Sequence, residues 1–132
     1  MADPKPALHE ALCEYLSAAV TAETLSAPVY DGVPQGSALP YVTLDTSVSD
    51  DDRLLSERRD QVFTYLHVWS DNPGQHEVLQ IMAELDALLD RKTLALDTGR
   101  IATMRVRRTS THRDADNVTF QGRMTLWVIL DH

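Results

Sequence analysis

The chain has 132 residues, a length that suits one domain with a substantial core and is too short for a second of ordinary size. Its 43% hydrophobic and 24% charged residues are those of a globular protein. Twelve basic residues against twenty acidic ones leave a net charge of −8, which repels phosphate backbones on average and argues against a dedicated nucleic-acid binder. No apolar run approaches the roughly 20 residues that span a bilayer, and the start Met1-Ala2-Asp3-Pro4-Lys5-Pro6 lacks the basic and hydrophobic regions of a signal peptide, so the expected site of synthesis and use is the cytoplasm. The lone Cys13 excludes an internal disulfide and, beside Leu12 and Leu16, is expected to be a buried structural thiol.

Between Pro6 and Ala22, Leu8, Leu12, Tyr15, Leu16, Ala19 and Val20 recur at three- and four-residue spacing and predict one apolar helix face. Pro4 and Pro6 suit the first turn, where a missing N–H costs nothing, and Pro28 stops the helix from running on. Val29-Tyr30 reads as a short extended piece followed by a turn at Asp31-Gly32. After the loop Val33-Pro34-Gln35-Gly36-Ser37, Pro40 holds Leu39 extended and leads into a strand, Tyr41-Val42-Thr43-Leu44. Gly32 to Gly36 is not a phosphate cradle, because the lysine and the helix start that a P-loop needs are missing.

Ser47 to Asp60 is dense in charge, shows no apolar stripe and is expected to be a long loop. Asp50, Asp51 and Asp52 lack the alternate spacing and turn glycine of a calcium loop; a solvated acidic run that meets a neighbouring molecule is the expectation. From Val62 to Trp69 two apolar sets alternate, Val62, Leu66 and Val68 against Phe63, Tyr65 and Trp69, which predicts a central strand covered on both faces. After the turn Asp71-Asn72-Pro73-Gly74, the residues Val78, Leu79, Met82, Leu85, Leu88 and Leu89 predict a second amphipathic helix ending near Asp90-Arg91. The last third predicts a hairpin of Ile101 to Thr111 and Val118 to Leu130 about a polar tip, His112 to Asn117. On its second strand Val118, Phe120, Met124, Leu126, Val128 and Leu130 share one side with Gly122, while Thr119, Gln121, Arg123 and Thr125 share the other, so that one side faces core and the other water or a partner. The order α-β-β-β-α-β-β defines an α+β fold, a mixed and mostly antiparallel sheet with two packed helices, over a single domain from 1 to 132.

Chemistry is hard to find in this pattern. The five histidines miss zinc-ligand spacings, one cysteine rules out thiolate sites, and neither a nucleophile elbow nor a local Cys/His dyad occurs. No catalytic residue, cofactor or metal is therefore expected, and His67 reads as a hydrogen-bonded residue of the sheet. Arg105, Arg107 and Arg108 depart from the acidic average. Simple alternation puts Arg105 and Arg107 on one face and Arg108 on the other, with no interleaved aromatic residues to stack on bases. Cross-strand ion pairs, or carboxylates of a protein partner, are the fitting company for these guanidinium groups.

The order of Val29, Pro34, Pro40, Tyr41 and Val42, then Val68-Trp69-Ser70, then Gly74 resembles the tail-completion proteins of long-tailed phages and gene transfer agents, a family that includes tail terminators. That resemblance covers nearly the whole chain and implies a structural virion protein without an active site. It implies a ring, commonly a hexamer, at the head-proximal end of the tail tube, which stops tube growth and receives the head connector or stopper while DNA passes through the lumen. The candidate contact residues for such a ring are Asp50, Asp51, Asp52 and Arg53 in the acidic segment and Arg105, Arg107, Arg108 and Arg123 on the hairpin. The alternative from another class is a small cytoplasmic enzyme or ligand-binding domain with a pocket around His67.

Overall fold

The computed structural model describes residues 5–51, 59–71, 75–97, 99–113 and 119–131. Its elements run α1 (Lys5–Thr21), β1 (Val29–Tyr30), β2 (Tyr41–Asp51), β3 (Arg59–Ser70), α2 (His76–Leu89), β4 (Arg100–Arg113) and β5 (Phe120–Asp131). One five-stranded sheet has the spatial order β1-β2-β3-β5-β4; β1 pairs with β2 in parallel and every other pairing is antiparallel. This is the α+β architecture and the element order expected from the sequence, with β3 in the middle of the sheet.

The α1 stripe buries Leu8, Leu12, Leu16 and Ala19, with Tyr15 and Val20 packed at its margin. Each fully buried leucine contributes about 1.5–3 kcal/mol relative to exposure. Tyr15 keeps its hydroxyl satisfied by donating to the Leu88 carbonyl at 2.8 Å, which ties α1 to the end of α2. The turn after β1 uses Gly36 at φ +83°, a conformation open to glycine, while the Ser37 amide donates to the Pro34 carbonyl at 3.2 Å. The Val42 amide then donates to the Pro28 carbonyl at 2.8 Å and starts the β1–β2 pairing.

α2 buries Val78, Ile81, Met82, Leu85 and Leu89 against β3, β5 and β4. It lies close because Gly122 faces it: a Cβ at that position would collide with the Met82 sulfur and come within 2.9 Å of Val78 Cγ1. At the end of α2 the chain caps the edge of the sheet. The Arg91 amide donates to the Met104 carbonyl at 2.8 Å, and the Val106 amide donates to Asp90 Oδ1 at 3.0 Å. Those are the outward-pointing groups of an edge strand, which unpaired would invite another strand.

Three expectations about the elements and their burial need correction. The segment 47–60 is not one long loop, since β2 continues to Asp51, β3 begins at Arg59 and the two strands pair, with an irregularity between Val48 and Asp51. Asp50 and Asp51 therefore sit in a strand, while Asp52 and Arg53 lie outside the described residues, as do Gly74 and the hairpin tip 114–117. Of that tip, His112 and Arg113 belong to β4. Cys13 is half-buried rather than fully enclosed; burial, with Asp31 and Glu14 nearby, pushes its thiol pKa up and leaves it in the unreactive form. The third correction concerns β3 and decides the functional reading.

Candidate subunit interface

Both helices pack on one side of the sheet. Val42, Leu44, Val62, Leu66, Val68, Met124, Leu126, Val128 and Leu130 point to that side and are all buried. The opposite side has no layer of the described chain over it. Phe63 and Trp69 are half-buried there and Tyr65 is 37% exposed, so β3 is central but covered on one face only. Alternation of two apolar sets correctly signalled a central strand; it could not show that the second set lies on a face that no layer of the described residues covers.

The register defines what this open face carries. Reading across three strands, Tyr65, Thr125 and Arg108 form one row, and His67, Arg123 and Ser110 the next. Trp127 lies between Phe63 and Arg105 in a further row. A groove of ≈ 400 Å³ runs beside the first two rows, lined by Tyr65, His67, Arg108, Ser110, Arg123 and Thr125 among others.

Arg108 belongs to this face because β4 bulges. Val106 pairs with Leu126 and Arg108 with Thr125, so Arg107 is an extra residue and the alternation slips by one. Arg105 and Arg108 thus share the face that simple alternation assigns to Arg105 and Arg107, not to Arg108. Arg107 also reaches it, with its guanidinium 5.2 Å from the centre of the Trp127 ring. Arg105 bends round the edge to Asp90, Nε to Oδ1 at 3.4 Å. That carboxyl is held below the usual range first by the Val106 amide and then by Arg105. The structure thereby gathers four of the five expected arginines, Arg105, Arg107, Arg108 and Arg123, on or beside one surface, the fifth, Arg53, lying outside the described residues.

Aromatic residues, absent from the arginine segment itself, are supplied by neighbouring strands. Trp127 from β5 and Tyr65 from β3 come into register with the arginines, and Trp127 Nε1 donates to Gln61 Oε1 at 3.2 Å. Their sequence separation hides this; the pairing register, once known, finds it. His67 stacks on Trp69 with centroids 6.4 Å apart, and its Nδ1 lies 2.9 Å from the amide nitrogen of the buried Gln121. Burial first, then Arg123, lowers the His67 pKa against a smaller opposing effect of Asp45, so the ring is neutral and Nδ1 accepts from the Gln121 amide. This is the hydrogen-bonded sheet histidine expected from sequence.

Among the described residues no group of three or more His, Cys, Asp or Glu side chains could hold a metal ion, and no helix is long and apolar enough to cross a membrane. Fold and surface together define a two-layer α+β protein whose conspicuous feature is an uncovered aromatic and arginine-rich sheet face. The family described as "Tail completion protein gp17" matches residues 7–131, and the chain belongs to that family. No curated protein sequence matches it. A solved structure described as "Virion of native gene transfer agent (GTA) particle" contains a chain of the same fold, with a TM-score of 0.87, 23% identity and 100% of both chains covered.

Proposed function

We propose that this tail completion protein is a tail terminator: a homo-oligomeric ring, built as a hexamer, that sits on the head-proximal end of the tail tube of a phage-like or gene transfer agent particle. The ring stops addition of tube protein and offers its other surface to the head connector or stopper. The observation that carries this reading is the uncovered sheet face, which in a chain of this family fits a subunit that completes its packing through neighbours. Arg105, Arg107, Arg108 and Arg123 are its contact residues on the basic side. Asp50 to Arg53, at and beyond the end of β2, supply a second contact segment. Termination needs no chemistry, since a ring that matches the tube on one side and differs on the other cannot accept another tube subunit. A net charge of −8 suits a lumen through which DNA slides without adhering.

Electron microscopy of particles made without this gene tests the reading. Overlong tails separated from DNA-filled heads are the expected result. Tails of normal length without heads would move the protein to a neighbouring joining step, and normal particles would overturn the assembly role.

A further inference from the structure

The two sides of the molecule differ in charge as well as in cover. The helices carry five acidic residues, Glu10, Glu14, Glu77, Glu84 and Asp86, against the single Lys5. Across the sheet, the open face gathers the four arginines described above. On α2, Glu77 is engaged by the Ser70 hydroxyl at 2.6 Å and Glu84 by the Ser26 hydroxyl at 2.8 Å, whereas Asp86 stands exposed. Leu79, Ala83 and Asp86 are spaced four and three residues apart and form one outward ridge of the helix. Leu79 is 49% exposed on that ridge, and with Tyr65 and Val33 it makes up the exposed large hydrophobic residues of the described chain.

We propose that the α2 ridge of one copy docks in the open-face groove of a second copy, Leu79 against Tyr65 and Asp86 against Arg108 and Arg123. This deepens the ring reading and rests on it. The occupant is a second copy because each surface supplies what the other lacks. One has an exposed aliphatic side chain with a carboxylate about two turns further on; the other has an exposed tyrosine with one guanidinium group in its own row and a second in the next. Both surfaces occur once on every chain and border the β4 edge from its two sides, and a heterologous contact between them propagates from copy to copy, as a closed ring requires. Bidentate arginine–carboxylate pairing sets the register, and the apolar pair supplies the dry centre.

Sedimentation of the full-length purified chain over a range of concentrations tests the contact, with Asp86→Arg, Arg123→Asp and the charge-swapped double variant. Far-UV circular dichroism confirms that each folds. The contact predicts that each single variant weakens self-association by about tenfold or more, and that the double variant restores most of it. Self-association left unchanged by both single variants, or a double variant no better than either, would overturn this contact while leaving a ring built on other surfaces standing. A chain that stays monomeric into the millimolar range would overturn the contact as well, because both surfaces are present on the free chain. The deletion phenotype tests the terminator role separately.

Discussion

The two faces of the sheet obey the same alternation and yet have opposite compositions. Facing the helices, valines, leucines and methionines are buried to within a few per cent. Facing away, Tyr41, Phe63, Tyr65, Trp69 and Trp127 alternate with threonines, arginines and a histidine, and most are only half-buried. An aliphatic face solves a folding problem within the chain. A face of large amphipathic rings and guanidinium groups resembles the core and rim of a protein interface, where aromatic residues and arginine are enriched. The aliphatic face holds the chain together, and the aromatic and arginine face is the one we propose to meet a neighbouring molecule.

Substitutions on the two faces should therefore fail in different ways. The largest effect is expected from Val68→Asp, which places an unpaired charge in a fully buried site and should abolish cooperative folding, seen as loss of native circular dichroism. A soluble variant with a native spectrum would contradict the assignment of this face as core. Gly122→Val should be milder, about 1–3 kcal/mol by chemical denaturation, because Met82 can move but the branched Val78 beside it has less room. Reversing Arg105 and Arg107 to Glu should leave the denaturation midpoint near the wild-type value and weaken assembly; unchanged assembly would remove both from the contact surface.

The smallest expected effect is a pH dependence. The folded-state pKa of His67 is lowered below its unfolded value of 6.5, so the unfolded chain binds the proton more readily. Its contribution to stability is present above about pH 6.5 and is lost as pH falls through the lowered folded value. Protonation would also turn Nδ1 from acceptor into donor against the Gln121 amide. His67→Gln should flatten the melting-temperature profile just below pH 6.5; a profile equally steep in the variant would assign the dependence elsewhere.

The sequence made the architecture legible because its signals are local. A stripe of period 3.6 located α1 and α2, Pro28 bounded the first, and the turn residues Asp71-Asn72-Pro73-Gly74 announced the second. The alternation on β5 gave the core face from Phe120 to Leu130, although Gln121 on the other side is buried too and Val118 lies outside the described residues. The end of β2 was missed because Asp50 and Asp51 are poor strand formers that pairing with β3 overrides. The candidate surface was half legible. Its four arginines could be named, but a one-residue bulge at Arg107 moved Arg108 to the other face, and nothing in the strand's own residues announces it. Tyr65 and Trp127 join the arginines only through pairing of strands distant in sequence, which is a tertiary fact.

The chain's two tryptophans offer a direct test of the central claim, because Trp69 and Trp127 both lie on the open face. Acrylamide quenching of tryptophan fluorescence, measured on the free chain and on its assembled form, reports whether that face becomes covered. The account predicts that quenching falls and emission shifts to the blue as assembly proceeds. Assembly that leaves both unchanged would mean that the open face stays open, and would contradict its assignment as the surface that completes the particle.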